Sequence, residues 1–552
     1  MTNQNPLSRG ALILLFVCFT LAWFGTLDYR KLVGPDEGRY GEIPREMVAT
    51  GDWTTPRLNG LKYFEKPALQ YWATAAAFEV FGEHNWTVRL WPALTGYLSI
   101  LLAAFAGRRL FGGSAGLLGA GILGSCLWQV LIGHIATLDM GTSFFLQVAL
   151  TGFIFANWHD TPENKRRPWM MLTWGALALA MLTKGLIALV LPGGTLVLYT
   201  LLTRDFTPWR RLELPRGLAL FALITVPWFV AVSLANPEFP RFFFWHEHFE
   251  RFLTKVHRRY QPWWYFLPIL AIGFLPWTLL VMHSWFGSFG RQVFGQRGPF
   301  RPRTLLVAWS LAIFLFFSAS SSKLPSYILP MFPALAMLAG GWLAAASRRA
   351  LIFHLAVIAA LAVLALGLLP LASQIKGLNA EDTSIQHYLQ WLYVAAGLWL
   401  AGAAGGLVLA LRHRLLPAIL VTALGTFVAN NLVLLGHENL SHTNTAYYLA
   451  EELAPQLPPD VPFYSIGYYE QTLPFYLKRT MTLVNYQGEL AFGQEREPDR
   501  ALATEAEFEQ RWRQDKDAFA FMEISTYERL KKRLSMQEVL RDTAYVIARK
   551  PQ

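Results

Sequence analysis

The sequence predicts a polytopic α-helical membrane protein that ends in a small α/β domain. Of its 552 residues, 54% are hydrophobic and only 15% are charged, which is too little charge for a soluble protein of this length. The apolar residues come in runs of about 18 to 25, long enough to cross a bilayer as a helix. After about residue 436 short β-rich segments alternate with polar helical ones. We therefore expect a transmembrane domain over 1–435 and an α/β domain over 436–552.

The apolar runs predict about 13 transmembrane spans. They are centred on residues 10–28, 86–106, 114–132, 139–157, 169–183, 186–203, 217–234, 264–284, 304–320, 326–346, 351–373, 388–410 and 415–435. Basic residues such as Arg108/Arg109 and Arg348/Arg349 follow the even-numbered spans. By the positive-inside rule these loops are cytoplasmic, which places the N-terminus in the cytoplasm and the C-terminal domain outside. The net charge of +11 is then mainly a topology signal, and nucleic-acid binding is not expected.

The odd-numbered connections include two long outer loops, 28–85 and 235–263, and a short turn around Asp139. Residues 68–81 in the first loop are apolar but too short to cross a membrane comfortably. Counting them as a span would also place every later arginine pair on the wrong side. We expect them to form a helix in the outer interface.

The first outer loop opens with GPDEGRYGEIPREM, residues 34–47. Tyr40, Ile43 and Met47 fall on one helical face and the charged residues on the other, which predicts an amphipathic interfacial helix. Asp36 stands at its start. An aspartate there is either an N-cap or a functional carboxylate, and the local pattern leaves both interpretations open.

In the second long loop His246 lies among five aromatic residues, and a basic flank that begins at Arg251 follows. The aromatic belt is typical of any membrane edge. His246 and His248 are two residues apart, which does not match the four-residue spacing of a helical zinc pair. A divalent metal shared between His246 and a carboxylate of the first loop stays open.

The outer loops combine carboxylates with cations, and the sequence has no glycine-rich nucleotide loop. This combination favours transfer from a lipid-phosphate donor, without a nucleotide cofactor and with membrane lipids as neighbours. Lys66 and Arg251 could then stabilise the departing phosphate. A carboxylate near the anomeric carbon could stabilise oxocarbenium character, as in glycosidases.

The first outer loop closely resembles the signature of the ArnT family, the 4-amino-4-deoxy-L-arabinose (aminoarabinose) lipid A transferases. The matching residues are Asp36, Glu37, Arg39, Tyr40, Glu42, Ile43, Arg45, Glu46 and Met47, then Gly51-Asp52-Trp53, Leu58-Asn59-Gly60 and Tyr63-Phe64-Glu65-Lys66-Pro67. Residues 323–330 also look like a family segment. This family is grouped with protein O-mannosyltransferases and other membrane enzymes that use polyprenyl-phosphate sugars.

The resemblance implies roles for eight residues. Asp36 and Asp139 are expected to be catalytic, Lys66, Arg251, Tyr327 and Arg39 to bind the donor phosphate, and Glu65 and His246 to form a metal-capable pair. It implies an undecaprenyl-phosphate-linked sugar as donor, lipid A as acceptor, and a location in the bacterial inner membrane with a periplasmic C-terminal domain.

Two other functions compete with this interpretation. A related glycosyltransferase with a protein hydroxyl or another glycan as acceptor would share the N-terminal signature. A lipid or sugar transporter would also be polytopic, but transporters typically carry charged residues within the spans and internal repeats. Here the acidic residues cluster in the outer loops, so a transferase is favoured.

Overall fold

The structure is a computed structural model that describes residues 8–250, 260–289, 300–372 and 383–551. Its α-helices are Arg9–Phe24, Asp36–Thr50, Leu69–Phe81, Asn85–Phe111, Gly113–Ser125, Leu127–Gly133, Leu138–Asn157, Glu163–Lys184, Ile187–Thr203, Thr207–Arg210, Leu214–Ala235, Phe266–Gly273, Thr278–Phe289, Pro302–Ala319, Phe332–Ala345, Arg348–Ala372, Thr383–Leu411, Leu415–Gly436, Ser441–Asn444, Tyr447–Leu453, Leu473–Leu477, Ala491–Arg496, Glu505–Gln514 and Ile524–Leu530. The strands are β1 Arg57–Leu58, β2 Leu61–Lys62, β3 Phe463–Ile466, β4 Thr482–Val484, β5 Ala501–Leu502, β6 Phe519–Glu523, β7 Gln537–Arg541 and β8 Tyr545–Arg549.

The chain divides into two compact units. The helical unit comprises Met1–Leu27, Trp91–Ser233 and Pro240–Asn439, and the α/β unit comprises Asp28–Leu90, Leu234–Phe239 and Leu440–Gln552. The sequence places residues 28–85 with the transmembrane domain, whereas in the structure they share a unit with the C-terminal segment. Contacts between residues more than 400 positions apart, such as Asn59 Nδ2 donating to the Met481 carbonyl at 2.7 Å, hold these segments together.

The helical unit shows that the chain is a polytopic membrane protein. Among the described residues, eight helices are long and apolar enough to cross a membrane, or up to ten if each of two bent helix pairs is one span. Arg9–Phe24 and Ile187–Thr203 are shorter apolar helices. Each predicted span coincides with a helix or a bent pair, while the total of 13 stays a prediction.

One predicted span, 114–132, is broken in two. Gly113–Ser125 and Leu127–Gly133 meet at an angle of 64°, with Cys126 in an extended conformation between them. The break frees backbone groups that a membrane interior cannot solvate. Neighbouring segments satisfy them: Asn430 Nδ2 donates to the Ser125 carbonyl at 2.9 Å, and the Leu127 N–H donates to the Leu275 carbonyl at 3.2 Å. Hydropathy alone cannot reveal such a break.

The C-terminal part of the α/β unit contains a six-stranded mixed sheet in the order β5-β4-β3-β6-β8-β7. β3 pairs in parallel with β4 and β6, whereas β8 pairs antiparallel with β6 and β7. Tyr464, Phe508, Trp512 and Met522 belong to its buried core. The predicted α/β fold of the C-terminal segment is thus confirmed, since β-rich segments after residue 436 form the strands of this sheet.

The helix Asp36–Thr50, called the Asp36 helix below, packs on the C-terminal segment through two glycines. A Cβ atom on Gly38 would lie 2.5 Å from the backbone of Gln471, and one on Gly41 would lie 3.2 Å from the Phe475 ring. No side chain fits at Gly38 without moving backbone. The close approach fixes Gln471 against the first turns of the helix.

Candidate functional site

The Asp36 helix is buried on both faces, unlike the expected amphipathic helix with one exposed charged face. Glu37 through Met47 are all buried. Its charges face the protein because they pair there: Arg89, with a fully buried side chain, donates from Nε and Nη2 to the two carboxylate oxygens of Glu37, each at 2.7 Å. A periodicity count assigns charged residues to solvent and misses such internal pairs.

Further along the helix, Arg45 donates from Nε and Nη2 to the Glu42 carboxylate, both at 2.6 Å. Burial raises the pKa of Glu42. Burial, together with the neighbouring Glu42, also raises the pKa of Glu46 to about 8. The Gly60 N–H donates to Glu46 Oε2 at 2.8 Å. Both carboxyls are buried and each is bonded to a group inside the protein, which indicates a structural role.

Asp36 differs from the other acids of the helix because its side chain is 51% exposed. It occupies the first helical position, Pro35 is the N-cap residue, and no side-chain hydrogen bond caps the helix. Its Oδ1 instead accepts a hydrogen bond from Arg39 Nη1 at 2.9 Å. The geometry therefore favours a functional carboxylate over an N-cap.

Arg39 is buried and lies between two carboxylates. Its Nη1 contacts Asp36, and its Nη2 lies 2.5 Å from Glu489 Oε2. Glu489 also accepts a hydrogen bond from Gln471 Nε2 and lies 3.5 Å from the Tyr63 hydroxyl. Burial raises the pKa of Glu489, and the Arg39 charge opposes that increase. The predicted phosphate role of Arg39 remains a prediction, because both of its Nη atoms contact carboxylates here.

Lys66 and Glu65 follow the β1–β2 hairpin. The Lys66 Nζ donates to the Glu65 carbonyl at 2.7 Å and lies 3.9 Å from the Glu65 carboxylate. Neighbouring Lys62 binds Glu238 at 2.7 Å, so this lysine has a structural partner. Glu65 also contributes to the electrostatics of Glu489. The α/β unit therefore brings together four predicted site residues, Asp36, Arg39, Glu65 and Lys66.

The helical unit brings together Asp139 and Tyr327 through a residue that the sequence did not single out. Lys184, the last residue of Glu163–Lys184, forms an ion pair with Asp139. Its Nζ also lies 4.7 Å from the centroid of the Tyr327 ring, which itself packs on Phe317. A lysine at the outer end of a predicted span was the available signal.

The predicted metal pair is His246 and Glu65, which belong to different units. His246 lies in the π-helix Arg241–Glu250, with its ring stacked on Phe242. Within the described ranges, no group of three or more His, Cys, Asp or Glu side chains could hold a metal ion. These residues do not form a complete ligand set, so we derive no step through a metal. Arg251, the other predicted phosphate ligand, lies outside the described residues.

Two family models match the chain. Residues 10–243 match the model described as dolichyl-phosphate-mannose-protein mannosyltransferase, and residues 449–550 match aminoarabinose transferase C-terminal domain. The first match covers the Asp36 helix, and the second covers the sheet and Glu489.

Curated relatives and solved structures extend these matches. Over 334 residues the chain is 37% identical to an undecaprenyl phosphate-alpha-4-amino-4-deoxy-L-arabinose arabinosyl transferase from Aeromonas salmonicida, covering 60% of this chain and 59% of that one. A relative of the same name from Pseudomonas aeruginosa is 36% identical over 340 residues, with the same shares covered. These alignments thus span somewhat over half of each relative. A crystal structure of ArnT from Cupriavidus metallidurans bound to undecaprenyl phosphate is 38% identical, with a TM-score of 0.94, and the match covers 99% of this chain and 100% of that one.

Proposed function

Because the chain belongs to the ArnT family, we propose that it transfers 4-amino-4-deoxy-L-arabinose from undecaprenyl phosphate to a phosphate of lipid A. The observation that carries this proposal is the match along nearly the whole chain to an ArnT whose crystal structure holds undecaprenyl phosphate. The names of the curated relatives support the same donor. The chemistry of the site supports the proposed acceptor.

In the proposed reaction, the bond between the anomeric carbon and the donor phosphate oxygen breaks. Undecaprenyl phosphate leaves with the bonding electrons, and a lipid A phosphate oxygen forms the new bond to that carbon. Asp36, the half-exposed carboxylate, stabilises positive charge that develops on the sugar ring. Lys66 supplies a cation that would stabilise negative charge on the departing phosphate.

The helical unit has residues of its own that suit binding to a lipid phosphate. Lys184 supplies a cation beside the Tyr327 ring, and Asp139 orients that ammonium group by pairing with it. The hydroxyl group of a tyrosine and the three N–H donors of a lysine can both bind phosphate oxygens. We place the protein in the bacterial inner membrane, with a cytoplasmic N-terminus and a periplasmic α/β unit, in keeping with the arginine distribution.

A phosphate acceptor suits this site better than an alcohol. A phosphate monoester carries about 1.5 to 2 negative charges near neutral pH, so its oxygen attacks without losing a proton, whereas a hydroxyl needs a general base. The exposed carboxylate Asp36 already accepts a hydrogen bond from Arg39, and the proposal gives it the role of stabilising the sugar cation rather than that of a base. The cations also offset repulsion between two anionic lipids.

The acceptor prediction is tested with purified protein, the polyprenyl-phosphate aminoarabinose donor, and lipid A that is either intact or dephosphorylated. We expect transfer to intact lipid A. Transfer to the dephosphorylated lipid should be slower than about a hundredth of that rate, because its hydroxyl would need a general base, and a general base contributes about 10²–10⁴ to the rate. Equal transfer to both lipids would refute the phosphate acceptor and favour a hydroxyl acceptor.

A further inference from the structure

Glu489 lies in the C-terminal segment, about 450 residues after Asp36, yet both contact the same guanidinium. Asp36 binds Nη1 of Arg39 and Glu489 binds Nη2. The two carboxylates differ in exposure: the Asp36 side chain is 51% exposed and that of Glu489 is 18% exposed. Arg39 is thus shared between Asp36, which is accessible from outside the protein, and Glu489, which is largely buried.

The position of Glu489 is fixed by contacts of its own. It lies in the 3₁₀ turn Gly488–Leu490, whose Leu490 is fully buried. Gln471 Nε2 donates to Glu489 Oε1, and the Gln471 backbone packs against Gly38 of the Asp36 helix. This chain of contacts sets Glu489 against the helix that carries Asp36 and Arg39.

The charges of this group explain what the sharing achieves. An isolated Asp36–Arg39 pair would have no net charge, and the guanidinium could turn both of its Nη atoms to Asp36, because bidentate pairing is the preferred arginine–carboxylate geometry. With Glu489 on one Nη atom, Asp36 receives only the other, and the three charges sum to one negative charge.

We propose that Glu489 is a positioning residue for the transfer reaction: by holding one end of the Arg39 guanidinium, it keeps Asp36 oriented and incompletely neutralised. This inference rests on the proposed function. The C-terminal segment then has a direct part in the chemistry, because its Glu489 carboxylate controls how far Arg39 neutralises Asp36 in the first outer loop. In this proposal Glu489 acts through Arg39.

The same segment offers a matched control. Glu497 also joins the C-terminal segment to the first outer loop: it accepts hydrogen bonds from Arg57 Nη1 at 2.8 Å and from the Lys62 N–H at 2.9 Å. These contacts hold the β1–β2 hairpin and do not involve Arg39 or Asp36. A role limited to docking the two segments would therefore affect Glu489→Gln and Glu497→Gln alike.

The test is steady-state transfer by the full-length protein and three variants, Glu489→Gln, Glu489→Asp and Glu497→Gln, with thermal midpoints recorded for each. For Glu489→Gln we expect kcat to fall at least about tenfold with KM for the donor within about threefold, since the lost interaction acts on the transition state. Glu489→Asp should restore most of kcat because it keeps the charge, and Glu497→Gln should keep kcat within about twofold.

The inference is overturned if Glu489→Gln loses no more kcat than Glu497→Gln, or if Glu489→Asp is as impaired as Glu489→Gln. It is also overturned if the loss appears only as raised KM or as a lowered thermal midpoint. Failure of the wild-type protein to transfer aminoarabinose would instead count against the proposed function, so the two failures are distinguishable.

Discussion

Asp36→Asn is expected to reduce aminoarabinose transfer at least about 100-fold, because it removes the carboxylate charge that stabilises the sugar cation. Asparagine keeps the shape of the side chain and can still accept a hydrogen bond from Arg39. The thermal midpoint should change little, since the Asp36 side chain is half exposed and exposed ion pairs contribute about 0–1 kcal/mol to stability. The measurement is initial-rate transfer with purified protein, normalised to folded protein.

Asp52→Asn is the matched control for that substitution. Asp52 lies in the same loop, and its Oδ1 accepts hydrogen bonds from the Thr54 and Thr55 N–H groups, both at 3.0 Å. It serves a turn, so transfer by this variant should stay close to wild type. If Asp36→Asn transfers within about threefold of wild type, Asp36 is not the catalytic carboxylate.

Glu37→Gln is expected to destabilise the protein strongly while leaving the substrate-facing residues in place. The Arg89 side chain is fully buried, and its guanidinium is bonded to both Glu37 oxygens and to the carbonyls of Arg30 and Lys31. Glutamine leaves a buried cation uncompensated, and breaking such a pair costs about 3–5 kcal/mol. For a unit of this size that corresponds to a thermal midpoint lower by roughly 6–20 °C, which a thermal-shift assay in detergent measures.

An exposed pair gives the comparison. Arg529 binds the Glu505 carboxylate, with side chains 44% and 26% exposed, so Glu505→Gln should change the free energy of unfolding by about 0–1 kcal/mol. Similar midpoints for Glu37→Gln and Glu505→Gln would show that the Glu37–Arg89 pair does not hold the first outer loop in its fold.

Local patterns predicted much of this fold. The apolar runs located the helices of the helical unit, and β-rich segments such as 544–549 located strands of the sheet. The breaks between helices were not predictable, because the groups that satisfy the broken backbone, such as Asn430, come from distant segments. Hydropathy reports what a segment can bury and carries no information on which neighbour completes its hydrogen bonds.

The sequence predicted only part of the candidate site, because some of its residues also depend on distant partners. The motif around Asp36 and Lys66 is local and could be identified directly. The partners of Glu489 and Lys184 lie about 450 and 45 positions away in the chain. No local pattern indicates Glu489, and the position of Lys184 at the end of a predicted span gives no information on its partner. The prediction that the Asp36 helix has one solvent-exposed charged face is wrong for a related reason. Arg89, the partner of Glu37, lies 52 residues further along the chain, and charged residues that are paired can be buried.

Lipid A mass spectrometry provides the most direct evidence on function. Cells that make the undecaprenyl-phosphate aminoarabinose donor but lack their own transferase would express the wild-type chain, the Asp36→Asn variant, or neither. We predict that lipid A gains aminoarabinose on a phosphate only with the wild-type chain. Unmodified lipid A in cells that hold both the donor and membrane-inserted wild-type protein, or equal modification by the Asp36→Asn variant, would contradict the proposed transfer.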